Sequence, residues 1–218
     1  MKSESISKKL KNPDISGPYL VTDRGLCLFH TLEAIVAKSV QGGVKLIQLR
    51  EKDSGTKDFV DLAFKIKAIL KDTGIPLLIN DRIDVALAVG AEGVHIGQSD
   101  MPPVYARKIM GDSAIIGLSI ESMEDFDHIP KEAKIDYLGV SPVFATTTKK
   151  DTKPPWGVEG LKLLRAKTDL PLVAIGGIGE ANAKQVIDAG ADSLAVVSFL
   201  CSAEFPEKRA KFLADLFL

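Results

Sequence analysis

Pro76-Leu77-Leu78-Ile79 runs straight into Asn80-Asp81-Arg82, and Val94-His95-Ile96 runs straight into Gly97-Gln98-Ser99-Asp100. A short helical stretch at 82–89 lies between the two runs. Short apolar runs that stop at polar or glycine residues read as buried parallel strands, and strand–helix–strand is the unit of a parallel sheet. The pattern recurs on both sides. Val44-Lys45-Leu46-Ile47 runs into Gln48-Leu49-Arg50-Glu51-Lys52, and Ile115-Ile116-Gly117-Leu118 stops at Ser119. A closed β/α barrel places the carboxyl ends of all its strands on one face, where active sites sit. On that arrangement two cations, two carboxylates and several hydroxyls converge.

The alternation extends over the whole chain. Strands are expected at 18–23, 44–50, 76–80, 93–96, 114–118, 136–140, 171–175 and 193–197. Helices are expected after each, with Thr31 as an N-cap and the clearest period at 56–72, where Phe59, Leu62, Ala63, Ile66, Ile69 and Leu70 share a face. About eight units predict a single-domain TIM (β/α)8 barrel over 18–218; an open doubly wound sheet usually has fewer strands. Gln41-Gly42-Gly43-Val44, Val89-Gly90-Ala91-Glu92-Gly93-Val94 and Ala189-Gly190-Ala191-Asp192-Ser193-Leu194 repeat one plan, a helix stopping at glycine just before a strand. Residues 1–17 are polar, carry Lys2, Lys8, Lys9 and Lys11, and have no apolar h-region, so they read as an N-terminal tail or short helix rather than a signal peptide.

Composition narrows the function. The 218 residues are 45 % hydrophobic with a formal net charge of −1. That balance gives no global basic field for nucleic acid, so an anionic ligand must be held by local cations. No apolar run approaches the roughly 18 residues of a membrane span. Cys27 and Cys201 form no C-x-x-C pair, which points to reduced thiols in a cytoplasmic protein. With three histidines and no Ser–His–Asp logic, neither a zinc site nor a hydrolytic triad is expected. His95 alternates between apolar neighbours and reads as a buried structural residue; Trp156 reads as packing.

The strand ends carry the chemistry. Arg50 and Lys52, two apart on an extended chain, point to one side and suit a multiply charged anion; the alternative is a solvated pair neutralised by Glu51 or Asp53. Asp81 and Asp100 end neighbouring strands, which lie about 4.8 Å apart, and can share one Mg2+, a cation that takes one or two carboxylates and fills its shell with phosphate and water. Helix N-capping is their alternative role. The loop Phe144-Ala145-Thr146-Thr147-Thr148-Lys149-Lys150-Asp151 offers hydroxyls and a lysine to phosphate. Gly176-Gly177 after the seventh strand and Val197-Ser198 after the eighth stand where TIM barrels commonly bind phosphate.

In this order, Gln48-Leu49-Arg50-Glu51-Lys52, Asn80-Asp81-Arg82, Gly97-Gln98-Ser99-Asp100, Gly117-Leu118-Ser119, Thr146-Thr147-Thr148-Lys149 and Gly176-Gly177-Ile178 resemble the motifs of the thiamine-phosphate synthase family. The resemblance runs from Tyr19 to Ser198. It implies a barrel that joins hydroxymethylpyrimidine pyrophosphate to thiazole phosphate, with Mg2+ as cofactor, these two small molecules as partners, and a homodimer admitted by analogy. It implies that Gln48, Arg50, Lys52, Asn80, Ser119 and Lys149 bind the pyrimidine pyrophosphate, with Arg50, Lys52, Ser119 and Lys149 catalytic. Asp81 and Asp100 then hold the metal, and Thr146, Thr148, Gly177, Val197 and Ser198 the thiazole phosphate. Ile120-Glu121-Ser122 and Pro154-Pro155-Trp156 depart from the expected pattern. A thiazole tautomerase-like relative, a catalytically silent thiamine-phosphate-binding barrel and a sugar-phosphate isomerase barrel are the rival readings; the first two need no intact leaving-group set, and the third does not explain the magnesium–pyrophosphate half.

Overall fold

In the computed structural model, residues 15–146 and 153–218 are described. Eight parallel strands close into a barrel, each pairing with the next and β1 (Gly17–Val21) pairing with β8. A 3-10 turn at Arg24–Leu26 leads to α1 (Leu32–Gln41), whose N-cap Thr31 accepts a hydrogen bond from the Ala34 amide. There follow β2 (Leu46–Leu49), α2 (Thr56–Leu70), β3 (Leu77–Asn80), α3 (Ile83–Val89), β4 (Gly93–Ile96), α4 (Pro103–Met110), β5 (Ile115–Ile120) and α5 (Met123–Asp127). The circuit ends with β6 (Tyr137–Val140), α6 (Gly157–Arg165), β7 (Leu172–Ile175), α7 (Ala183–Asp188), β8 (Ser193–Val196), α8 (Ser198–Cys201) and α9 (Pro206–Asp215). No helix among the described residues is long and apolar enough to cross a membrane.

Side-chain alternation builds two cores. Outward residues of the strands, such as Leu20, Ile47, Leu77, Ile79 and Leu138, pack under the helices. Inward residues, among them Tyr19, Val21, Leu46, Leu78, Tyr137 and Val173, fill the barrel, and Ile15 joins them from just before β1. Two differences from the sequence reading stand out. β5 runs on to Ile120, so Ser119 is a strand residue facing the barrel interior. The 3-10 turn and α8 are new, because elements of three or four residues carry no periodicity to read.

The repeated glycine plan hides a second device. Gly90 and Gly190 take positive φ at their helix ends, and the acid two residues on acts as a staple. Glu92 accepts the Leu77 amide at 2.9 Å and meets Lys67 of α2 at 3.7 Å. Asp192 accepts the Leu172 amide at 2.7 Å and pairs with Arg165 of α6 at 2.9 Å. Asp136, preceding β6, accepts the Ile116 amide at 2.7 Å and pairs with Arg107 of α4 at 2.7 Å. In each case a carboxylate ahead of an even strand caps the start of the odd strand beside it and ties in an even helix. The Arg107 version is the most buried, and its guanidinium also donates to the carbonyls of Lys134, Gly111 and Ala114. Breaking one partner of a buried pair costs about 3–5 kcal/mol, whereas an exposed pair contributes about 0–1 kcal/mol. Arg107→Met is therefore expected to lower unfolding free energy by several times the loss from Lys67→Met. Equal midpoints for the two variants in denaturant titration would contradict this ranking.

Candidate functional site

The carboxyl ends of the strands surround a cavity of about 830 Å3. Gln48, Arg50, Lys52, Asn80, Asp81, Asp100, Ser119, Thr146, Gly177, Val197 and Ser198 all line it. Thr148 and Lys149 lie outside the described residues.

Local structure fixes each cation. Asp23 follows β1; its Oδ1 accepts the Gly25 amide at 3.0 Å and its Oδ2 accepts Arg50 Nη1 at 3.0 Å. The Arg50 amide donates to Thr22 Oγ1 at 3.0 Å, so the residue is held through main chain and side chain. Lys52 Nζ donates to Asp81 Oδ2 at 2.6 Å. Neither cation is neutralised by Glu51 or Asp53, the partners that a solvated loop pair would use; Glu51 turns to Arg24 and Ser54 instead.

The carboxylates cap no helix. Arg82 occupies the N-cap of α3 without a side-chain cap bond, and Pro102 that of α4. Asp81 has φ 60°, a left-handed conformation uncommon outside glycine but tolerated by Asp and Asn. Its amide donates to the His95 carbonyl at 2.9 Å, which fixes it beside β4. Asp100 Oδ2 accepts the Gly97 amide at 2.7 Å. This geometry brings the Asp81 and Asp100 side chains within hydrogen-bonding reach. Burial, and then the neighbouring Asp81, push the Asp100 carboxyl above its ordinary value. Two carboxylates in contact in a half-buried mouth are an unfavourable arrangement that a divalent cation relieves. They are hard oxygen donors, and two of them are what Mg2+ takes when phosphate and water complete its shell. The residues present fit that ion.

The opposite rim is built for close approach. Gly177 has φ 65°, and a Cβ there would lie 2.7 Å from the Ala145 carbonyl oxygen. Asn182 holds the turn: its Oδ1 accepts the Gly179 amide and its Nδ2 donates to the Gly177 carbonyl, both at 2.8 Å. Val197 and Ser198 stand at the start of α8.

Several wall residues escape sequence reading. Glu121 and Asp125 line the cavity with Lys153. Lys153 Nζ donates to Asp125 Oδ1 at 2.7 Å and to Ser122 Oγ at 3.0 Å, and its amide donates to Glu121 Oε2 at 3.2 Å. The departure at Ile120-Glu121-Ser122 is thus one half of a tie between β5 and the chain leading to α6. Burial is the largest single influence on Asp125 and opposes its ionisation, but the bond and charge of Lys153, the Glu121 amide and Ser122 together outweigh it and lower the carboxyl below its ordinary value. Trp156 donates Nε1–H to the Ser141 carbonyl at 3.2 Å and packs against the outer core. His95, expected to be structural, lies in the cavity wall.

A parallel barrel whose mouth sets a carboxylate-and-cation half against a glycine-and-hydroxyl half defines a phosphate-handling TIM-barrel enzyme. The family model described as thiamine monophosphate synthase matches residues 18–200, and the chain belongs to that family. It is 54 % identical over 206 residues to the thiamine-phosphate synthase of Leptospira biflexa, covering 93 % of this chain and 98 % of that one. It is 56 % identical over 188 residues to the thiamine-phosphate synthase of Albidiferax ferrireducens, covering 86 % and 85 %. Among solved structures, thiamine phosphate pyrophosphorylase from Pyrococcus furiosus superposes with a TM-score of 0.84 at 32 % identity, covering 94 % and 96 % of the two chains. 3-Hexulose-6-phosphate synthase shares the fold alone, at 19 % identity and a TM-score of 0.65.

The like-charge contact has a stability consequence. Asp81→Asn keeps a residue that tolerates positive φ and removes one of the touching charges, while giving up only a half-exposed ion pair to Lys52. The metal-free variant is expected to melt higher than the parent, by about 2–4 °C for about 1 kcal/mol. A lower melting temperature in chelator-treated protein would contradict the carboxylate repulsion.

Proposed function

We propose that the mouth binds 4-amino-5-hydroxymethyl-2-methylpyrimidine pyrophosphate on its carboxylate-and-cation half and thiazole phosphate on its glycine-and-hydroxyl half, and joins them. Membership in the family makes the chain a transferase of thiamine biosynthesis, with thiamine phosphate and pyrophosphate as products. The barrel, with Ile15 in its core and β1 beginning at Gly17 rather than at residue 18, acts as the catalytic unit in the cytoplasm.

The reaction needs little proton chemistry. The carbon–oxygen bond to pyrophosphate breaks with both electrons leaving on oxygen. The resulting pyrimidine methyl cation is stabilised by the ring amino group, and the thiazole nitrogen lone pair forms the new carbon–nitrogen bond. The protein has to hold the two reactants close and stabilise the departing charge. Arg50 and Lys52 supply fixed positive charge to the pyrophosphate, and Gln48, Asn80 and Ser119 orient the pyrimidine side. Among the described residues Arg50 spends only Nη1 on Asp23, which aims the guanidinium and leaves its other N–H groups for phosphate. Asp81 and Asp100 would hold magnesium, which would add positive charge beside the leaving group. Gly177 admits a phosphate to the main chain, and Thr146, Val197 and Ser198 complete that subsite. Thr148 and Lys149 are assigned to the thiazole phosphate and the pyrophosphate by family motif.

The observation that carries this reading is the contact between Asp81 and Asp100 with Lys52 on it, opposite the Gly177 rim of one cavity. The tautomerase-like and silent-binder readings leave that leaving-group set without a task. Incubation with both substrates, with and without Mg2+, followed by mass detection of thiamine phosphate, tests it; absence of product, or product that survives complete metal removal, overturns it. A unit charge pair at 4 Å and an effective dielectric of 20 interacts by about 4 kcal/mol. Lost selectively in the transition state, that lowers the rate about a thousandfold. Arg50→Ala is therefore expected to cut turnover to about that extent in a folded barrel, and near-normal turnover would remove Arg50 from the leaving-group role.

A further inference from the structure

Beneath the mouth, side chains from five strands form an unbroken hydrogen-bond chain. Gln48 Nε2 donates to Tyr19 Oη at 2.7 Å, and Tyr19 Oη lies 3.0 Å from Tyr137 Oη. Tyr137 Oη lies 2.8 Å from His95 Nδ1, and His95 Nε2 lies 2.7 Å from Ser119 Oγ. Both tyrosines are fully buried. The barrel makes room for them: a Cβ on Gly117 would lie 2.1 Å from Tyr137 Cζ, and one on Gly139 would lie 2.7 Å from His95 Cε1. The rings of His95 and Tyr137 stack at 5.5 Å, while Tyr19 meets Tyr137 edge-on at 6.3 Å. The two ends of the chain, Gln48 and Ser119, are both residues of the pyrimidine half.

Counting donors gives the chain a direction. Tyr19 Oη already accepts from the Gln48 amide, so its own proton goes to Tyr137, the remaining neighbour of that oxygen among the described residues. Tyr137 therefore donates its proton to His95 Nδ1. That leaves His95 neutral with its proton on Nε2, where it donates to Ser119 Oγ. Ser119 has accepted, so its hydroxyl proton is directed elsewhere, into the cavity. The reverse direction strands the Tyr19 proton in a buried site, which is the expensive case. Burial keeps both phenols protonated, with pKa values pushed above their ordinary range, so both remain donors.

We propose that Tyr19 and Tyr137 are positioning residues that fix the Nε2–H tautomer of His95 and thereby present Ser119 to the pyrimidine pyrophosphate as a hydrogen-bond donor. This rests on the assignment of Ser119 to the pyrimidine half. It gives His95 the role of an orienting group, with no proton removed from either substrate. Two buried tyrosines at the floor of the barrel then act on the ligand through His95 and Ser119.

The test has a spectroscopic arm and a kinetic arm. Nitrogen-15 NMR of histidine-labelled protein, with His95 assigned by difference against His95→Gln, is expected to show Nε2 protonated and Nδ1 accepting. The opposite tautomer or a charged imidazole in the parent protein overturns the proposal, whatever the variants do. Tyr137→Phe keeps the ring and removes the donor, so His95 is expected to shift toward the Nδ1–H form. Its kcat/KM for the pyrimidine pyrophosphate should fall about tenfold to a hundredfold, the range for one hydrogen bond to a charged group, while KM for thiazole phosphate stays put. Ser119→Ala should show the same loss, and the double variant no further loss, because both remove one interaction. Parental kinetics and an unchanged tautomer in Tyr137→Phe overturn the positioning role. Parental kinetics in Ser119→Ala instead overturn the placement of Ser119 in the pyrimidine subsite, and the two failures are thereby distinguished.

Discussion

Closure of the sheet between β1 and β8 is the constraint on which everything else depends. Gly17 through Leu20 pair in register with Ser193 through Val196, and the buried Ser193 hydroxyl donates to the Gly17 carbonyl at 2.8 Å. That seam joins the two ends of the sequence. It sets Arg50, which Asp23 aims, in the same mouth as Val197 and Ser198. An open sheet would leave these at opposite edges. A closed one has no edge strand to protect and turns the carboxyl ends into a ring, so that two anionic groups can be held facing each other within one cavity.

The two faces of that ring use the same chemistry for different ends. At the amino-terminal face, carboxylates ahead of β4, β6 and β8 are each satisfied by a backbone amide and a cation, and they staple helix to strand. At the carboxyl-terminal face Asp81 and Asp100 are neighbouring like charges, and the Lys52 bond to Asp81 is half-exposed. Strain of this kind concentrates at functional sites. Among the described residues it is found at one face and not at the other, which is the structural signature of a division of labour: one face for stability, one for binding.

Much of this was legible in the sequence because strand endings are local. Gln48, Arg50, Asn80, Asp81 and Ser119 are placed by the few residues before them, and the strand count follows from the period of the apolar runs. Pairings were harder. Arg50 meets Asp23, Lys52 meets Asp81, Lys153 meets Asp125, Arg107 meets Asp136 and Arg165 meets Asp192, at separations of 27, 29, 28, 29 and 27 residues. Each spans one strand–helix unit, so a basic residue and an acid one repeat apart are neighbours around the ring. That spacing was a usable signal, but helices and loops of unequal length blur it. Short elements such as α8 left no period, and the fate of His95 was set by Tyr137, a residue 42 positions away.

His95 also shows why a residue's surroundings outrank its type. An imidazole in the wall of an enzyme's cavity invites a role as base, and general bases do need hydrogen-bond reach of the proton they remove. Here both ring nitrogens are already engaged, one by Tyr137 and one by Ser119. A base so engaged must give up one of these hydrogen bonds before it can take a proton. The condensation asks for none to be taken: the acceptor is a ring nitrogen with a free lone pair, and the leaving group departs as an anion. The floor of the barrel can therefore be devoted to orientation, and its hydrogen bonds can run in one fixed direction.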